Sequence, residues 1–246
     1  MGSKRSRRRS LTHSLLFLVL ALSALLSVRW LLFEPYVIPS GSMIPSLLIH
    51  DHILVNKLAF GVRWPFSKKW IFPPQVPRRG DIVVFRSVED DGFFMIKRVI
   101  GLPGDELTYD PEGRLFVNGE PVTRRPLANP NTEGFYEVNE NDLQTDFADT
   151  DFYVENLEQR EYRIILRKQK FRSDFESIRI PKDSIFLMGD NRDNSRDSRY
   201  WGTLPLDNLL GRAMFVWLSC EETVGSTPFL CNPLTLRWKR LFHKIQ

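Results

Sequence analysis

At 246 residues the chain has room for one membrane anchor and one sizeable soluble domain carrying an insertion. Its 42% hydrophobic content is that of a globular protein and excludes general disorder. With 34 Lys and Arg against 30 Asp and Glu it is basic, but the charge is uneven: basic residues crowd the N-terminus, and residues 133–158 hold nine acidic side chains and no basic one.

The basic run Lys4, Arg5, Arg7, Arg8 and Arg9, alone in a tail, would suit nucleic acid. Here it directly precedes "LTHSLLFLVLALSALLSV", residues 11–28, which lacks acidic and permanently cationic side chains. As a helix, this stretch spans roughly 27 Å, close to the hydrocarbon thickness of a bilayer. Arg29 can snorkel to the interface and Trp30 suits the headgroup belt. The spacing therefore predicts a transmembrane anchor with exit over 11–33. The basic tail, 1–10, stays cytoplasmic by the positive-inside rule, and residues 34–246 lie outside, so lipid and not nucleic acid is the expected partner. A cleaved signal peptide competes, because Ala21 and Ser23 form a small-x-small pair. The apolar run continues past them, with only about six apolar residues before them, which favours an uncleaved anchor.

After the anchor the pattern is largely β. Residues 51–60, 81–88, 93–100, 114–122, 184–190 and 212–219 are short runs rich in β-branched and aromatic residues, bounded by Gly, Pro or Asp. Asn118-Gly119 is a hairpin signal. The polar stretch 106–180, with its loop-like "RRPLANPNTEG", reads as a smaller β domain inserted between two parts of a catalytic domain, 34–105 and 181–233. The expected fold is thus mainly β: an N-terminal transmembrane helix, an antiparallel β domain and an inserted smaller β domain. In residues 63–74, Trp64, Phe66, Trp70 and Phe72 alternate with Arg63, Lys68 and Lys69, which suits a headgroup layer or a packed loop. After Pro233, the residues Leu234, Trp238, Leu241, Phe242 and Ile245 recur at helical spacing, so 234–246 is expected as a basic amphipathic helix on the membrane or on the sheet. Cys220 and Cys231 either close a disulfide outside the cytoplasm or remain as two buried thiols.

Three stretches hold candidate chemistry. "PSGSM", 39–43, puts Ser40 and Ser42 among prolines just past the anchor; alone it is a turn. A nucleophilic serine needs a base, yet the histidines are only His13, His50, His52 and His243, and none stands in a triad pattern. His50 and His52 flank Asp51 on a strand as a lone His-x-His pair without further ligands, so no metal or cofactor is expected. A lysine can act as base if burial strips its proton, which requires lowering its pKa by roughly three units from about 10.4. Lys97 in "FFMIKRVIGLPGD" has the apolar setting, sharing a strand face with Phe93, Met95 and Val99 while Arg98 points the other way. The same lysine would also serve as an edge-strand gatekeeper or half of an ion pair. "GDNRDNSRDSRYWG", 189–202, resembles a calcium loop in composition but fails the EF-hand template at Arg192, Ser195 and Trp201. It remains a dense polar loop in which Asp and Arg pair and fix the backbone.

Taken together, "IPSGSMIPSLLIHDHILVNK", "RRGDIVVF", "IKRVIGLPGD" and "GDNRDNSRDSRYWG" resemble in content and order the boxes of the bacterial type I signal peptidases, over about 34–105 and 181–215. The resemblance implies a monomeric, membrane-bound Ser/Lys endopeptidase that cuts signal peptides from exported preproteins after an Ala-x-Ala pattern. By that resemblance Ser42 is the nucleophile and Lys97 the general base. Ser40 and the Ser42 backbone N–H form the oxyanion hole, and Ser195 orients Lys97. Asp197 and Arg199 brace the site, Arg98 and Asp105 are structural, and Ile38 and Ile96 wall the pockets for small side chains. The chain departs from the enteric pattern in having one expected span and Arg196 at a position often small. A relative with narrower work, such as maturing one pilus protein, fits the same boxes. An inactive binding module would have lost Ser42 or Lys97, and a self-cleaving cytosolic regulator would lack the anchor.

Overall fold

A computed structural model describes residues 13–23, 32–64, 67, 69–90, 92–127, 138, 140–143, 146–168, 175–225, 227 and 229–245. A helix, α1, covers 13–23 with every residue exposed. Among the described residues no helix is long and apolar enough to cross a membrane, so the predicted transmembrane helix is not found there. The basic tail, 11–12 and 24–31 of the predicted anchor, together with Phe66 and Lys68, lie outside the described residues.

The rest is antiparallel β. An eight-stranded sheet has the order β1 (Phe33–Val37), β2 (Asp51–Asn56), β14 (Leu209–Ser219), β3 (Ile82–Arg86), β4 (Phe94–Gly101), β12 (Ser184–Met188) and β13 (Leu204–Pro205), with β15 (His243–Lys244) also on β14. Period-two alternation sorts its side chains between two cores. Ile82, Val84 and Ile96 join one with Met43, Ile53 and Val55; Val83, Phe85 and Val99 join another with Ile185, Leu187 and Leu209. β14 holds the sheet together because its C-terminal part pairs with β2 and its N-terminal part with β3.

Residues between β4 and β12 build two further sheets. One joins β5 (Glu106–Tyr109), β6 (Leu115–Val117) and β7 (Glu120–Pro121) to β11 (Phe175–Arg179); the other joins β8 (Thr123–Pro126), β9 (Thr150–Leu157) and β10 (Arg160–Arg167). The β6–β7 turn is Asn118-Gly119 with φ of 54° and 83°, the left-handed pair that a two-residue hairpin needs. These sheets share a core with the large one: Leu107, Tyr109, Tyr162 and Ile164 pack with Ile100, Phe186 and Met188. A short α2 (Glu140–Leu143) buries Leu143 in a separate cluster with Ile44, Leu48 and Ile165.

The predicted C-terminal helix does not form. Pro233–Thr235 and Trp238–Arg240 are single 3₁₀ turns, and the chain then extends into β15. The spacing put the apolar residues on one face, toward the membrane or the sheet; here they divide, and Ile245 packs against the core of the large sheet. Leu234, Trp238 and Phe242 are exposed, while Arg237 and Arg240 are buried. Arg237 pairs with Asp142 and donates to the Ile49 and Cys220 carbonyls, and Arg240 pairs with Asp51. Two anchored guanidinium groups thus override the apolar periodicity. In 63–74, Arg63 stacks 3.9 Å from the Trp70 ring, whereas Trp64 and Phe72 face outward. Cys220 and Cys231 are joined as a disulfide.

Candidate active site

Ser42 sits on a single 3₁₀ turn, Gly41–Met43, in the connection from β1 to β2. Pro39 and Pro45 stiffen the chain on either side and reduce the freedom it loses on folding. The turn is held from outside by Asn191, whose backbone N–H donates to the Ser42 carbonyl at 3.1 Å and whose side-chain amide donates to the Gly41 carbonyl at 3.0 Å. No local pattern marks this role for Asn191, because its partners are far away along the chain.

Lys97 lies in the middle of β4, opposite Val83 on β3. It is 3% exposed, and its Nζ donates to Ser42 Oγ at 2.8 Å and to the Ile96 carbonyl at 2.8 Å. Burial pushes its pKa from 10.5 down to about 8; Asp197 and Asp190 work against that shift, and Arg199 adds to it. Among the described residues no histidine bonds Ser42 Oγ, whose second neighbour is Ser40 Oγ at 3.5 Å. The arrangement therefore supplies a hydroxyl and an amine that is readily neutral, in contact, with a second hydroxyl beside them.

The polar loop after β12 packs behind this pair. Gly189 precedes Asp190, whose carboxylate takes two bonds of 2.8 Å from Arg98 and another from Ser46. Asp197 caps α3 (Ser198–Trp201) and accepts from the Gly189 N–H at 2.9 Å. Burial alone would raise its pKa, but the bidentate Arg199 guanidinium outweighs that and holds it below the ordinary value. Arg192 is wholly buried against Glu155 of β9, fastening the loop to the smaller sheet. Asp105 lies away from this loop, accepting from Arg79, the Leu102 N–H and Asn118, and Arg79 holds it below its usual range against its own burial.

Ser195 borders the same cleft but makes no bond to Lys97; its Oγ is buried, and its hydroxyl helps Arg199 hold the Asp197 carboxyl below the ordinary value. The cleft has a volume of about 530 Å³, with Ser40, Ser42, Lys97, Ile49, Met95 and Tyr200 on its walls. Ile38 and Ile96, the predicted pocket walls, are buried in the core cluster with Met43 and do not line it. Apolar side chains that open to it include Met95, on the strand face of Lys97, and Ile49, to which the sequence assigned no role.

His52 comes within reach of Cys220 and Cys231, with the three donor atoms within 4.8 Å of one another. The sulfurs are spent in the disulfide, so they offer no thiolates to a metal in this state.

A sequence model described as signal peptidase, peptidase S26, matches residues 11–218. A protein named signal peptidase I from Pseudomonas fluorescens is 41% identical over 219 residues, covering 84% of this chain and 70% of that protein. Its namesake from Pseudomonas aeruginosa is also 41% identical with the same coverage, and that of Haemophilus influenzae is 30% identical over 95% of this chain and 75% of its own. A crystal structure of a signal peptidase I from Enterococcus faecalis superposes with a TM-score of 0.32 at 24% identity, over 55% of this chain and 95% of that one. By the family match and these identities, the chain belongs to the signal peptidase family, peptidase S26, and is a serine-protease hydrolase of the signal peptidase I type.

Proposed function

We infer that the chain cleaves signal peptides from exported preproteins with a Ser42/Lys97 dyad. The observation that carries this reading is the 2.8 Å contact between Ser42 Oγ and a lysine amine sealed from water. Neutral Lys97 accepts the Ser42 hydroxyl proton as Oγ bonds to the scissile carbonyl carbon. The carbonyl oxygen becomes an oxyanion, met by the Ser42 backbone N–H and the Ser40 hydroxyl. Collapse breaks the C–N bond, Lys97 returns the proton to the departing amine of the mature protein, and the signal peptide stays as an ester on Ser42. Lys97 then takes a proton from water, whose oxygen attacks the ester, and Ser42 regains its hydrogen.

The cut is expected after small residues in an Ala-x-Ala pattern, as the resemblance of the four sequence boxes implies; Ile49 and Met95 are side chains that border the cleft beside Ser42. Asp197 and Arg199 brace the loop, Arg98 and Asp105 support the sheet, and Ser195 is a positioning residue for Lys97 in the occupied state. The enzyme works as a monomer at the outer face of the bacterial cytoplasmic membrane, held by residues 11–33 with the basic tail inside; the charge pattern of the N-terminus supports that orientation.

The test is cleavage of a preprotein ending its signal in Ala-x-Ala by the full chain in detergent. Wild type is expected to cut after the final Ala. Ser42→Ala and Lys97→Ala should fall by on the order of 10⁴-fold while staying folded. Ser40→Ala should lose about 10²–10³ in kcat with little change in KM, as for one oxyanion donor. Equal rates in wild type, Ser42→Ala and Lys97→Ala would end the dyad reading.

A further inference from the structure

Alternation along β4 sends Lys97 to the catalytic cleft and Arg98 to the opposite face, and on that face lies a second cavity of about 560 Å³. It is walled by the start of β3, by β14 and β15, and by the β9–β10 turn. None of the residues given a role in peptide cleavage uses it except Arg98, whose guanidinium is already spent on Asp190 and the Gly80 carbonyl.

The cavity's charge is unbalanced. Arg160 from β10 and Arg212 from β14 share a single buried carboxylate, Asp81, at 2.8 Å and 3.7 Å, and Lys244 from β15 adds an exposed ammonium. Glu161 at the rim is the other acid, so besides the paired Arg98 three cations face two carboxylates.

Arg160 is held in place. The β9–β10 turn has Glu158 and Gln159 at φ of 52° and 66°, and Arg79 ties Glu158 to the chain before β3 at 2.8 Å. The Arg160 stem packs on Gly80, where even a Cβ would come within 3.1 Å of Arg160 Cδ. Two guanidinium groups and an ammonium from three strands converge on one space and call for an acceptor with several oxygens and more than one charge. A carboxylate offers two oxygens, and Asp81 already supplies those. A phosphate presents a tetrahedron of acceptors, and the volume leaves room for the organic part of an ester.

We propose that this cavity is a binding site for a phosphate ester, separate from the peptidase cleft and bridging β10 to the β14–β15 edge of the large sheet. Such a ligand could come from a soluble metabolite or from a phospholipid headgroup, and both present the same chemistry to Arg160, Arg212 and Lys244.

The experiment uses the full chain in neutral detergent. The thermal midpoint is followed on titration with inorganic phosphate, with sn-glycerol 3-phosphate, and with phosphatidylglycerol in mixed micelles, each at ionic strength matched with sodium chloride. The expected result is a saturable rise in midpoint with at least one phosphate compound that chloride does not give. The half-saturating concentration should rise about tenfold in Lys244→Gln and by at least as much in Arg212→Gln, and stay unchanged in Ser42→Ala. Lys244 is exposed, so its variant tests the site even if loss of the Arg212–Asp81 contact impairs folding. Saturation by the soluble ester assigns a free ligand; saturation only with the micellar lipid assigns a headgroup. A rise no larger than the chloride control, or half-saturation unchanged in both cavity variants, overturns the proposal.

Discussion

A lysine that is to be neutral near physiological pH must be kept from water, and the position of Lys97 does this at a cost to stability. Its pKa of about 8 leaves roughly a tenth of the amine neutral at pH 7. If Lys97 is the base, kcat/KM should climb about tenfold per pH unit below 8 and level off above it; a flat profile from pH 6 to 9 would remove Lys97 from the mechanism. The same number fixes a stability term. Below pH 8 the folded and unfolded chains both hold the proton, and the folded one carries a buried ammonium. Between about 8 and 10.5 the unfolded chain binds more protons, so stability rises with pH through that window, by about 3 kcal/mol at most from this group. Lys97→Met should therefore be inactive yet more stable than wild type at pH 7, with the advantage shrinking by pH 10. Urea unfolding at the two pH values reads this directly, and a variant that is less stable at pH 7 contradicts it. By local pattern alone the serine stretch was a turn and the lysine a gatekeeper or half of an ion pair; only the four boxes together, by their resemblance to a family, singled out the two. Alternation put Met95 beside Lys97, but nothing local marked Asn191 or Ile49, whose importance comes only from what lies opposite them.

At the scale of the element, β2, β3, β4, β12 and β14 were legible as local β-branched and aromatic runs, and the turn at Asn118-Gly119 because its left-handed backbone demands those residues, whereas β9 and β10 lay in the polar stretch read only as a smaller β domain. The C-terminal segment, which forms no helix, shows what such patterns miss. Arg237 and Arg240 bury their guanidinium groups against Asp142 and Asp51, acids more than 90 residues distant in sequence, and no spacing rule can see that. Gly189 is a similar case. It follows β12 as an ordinary strand-end glycine, yet a Cβ there would sit 2.3 Å from Ser195 Oγ and 2.5 Å from the Ser42 carbonyl oxygen. The glycine is needed for close approach, with the polar loop pressed against the nucleophile turn. Gly189→Ala is expected to push the two apart, cutting kcat by at least about tenfold and lowering stability by about 1–3 kcal/mol as overpacking does. Cleavage kinetics beside urea unfolding measure both, and wild-type values in both would mean the contact is slack.

For the whole molecule, the eight-stranded sheet could not be assembled from the sequence. β14 closes it by pairing with strands more than a hundred residues earlier, and its register is set by bulges and not by any repeat. What the sequence did raise is where the protein meets lipid. Trp64 and Phe72 are 59% and 72% exposed, and Leu234, Trp238 and Phe242 are 92%, 68% and 76% exposed. An apolar side chain of this size gains about 2–3 kcal/mol on leaving water, and here five stay in it. Basic neighbours on both segments, Lys69 on one and Lys239 and Lys244 on the other, suit anionic headgroups. Both segments are therefore expected to sit in the interfacial layer once the chain is reconstituted. In vesicles of brominated phosphatidylglycerol the fluorescence assigned to Trp238, taken as wild type minus Trp238→Phe, should be strongly quenched. Leu234→Ser with Phe242→Ser should lower kcat/KM several-fold on membrane-embedded preprotein, while a soluble peptide substrate in detergent is cut at the wild-type rate. That pairing separates lipid contact from damage to the site. An unquenched Trp238, together with equal losses on both substrates, would assign the C-terminal segment to packing on β14 and leave the membrane to other parts of the chain.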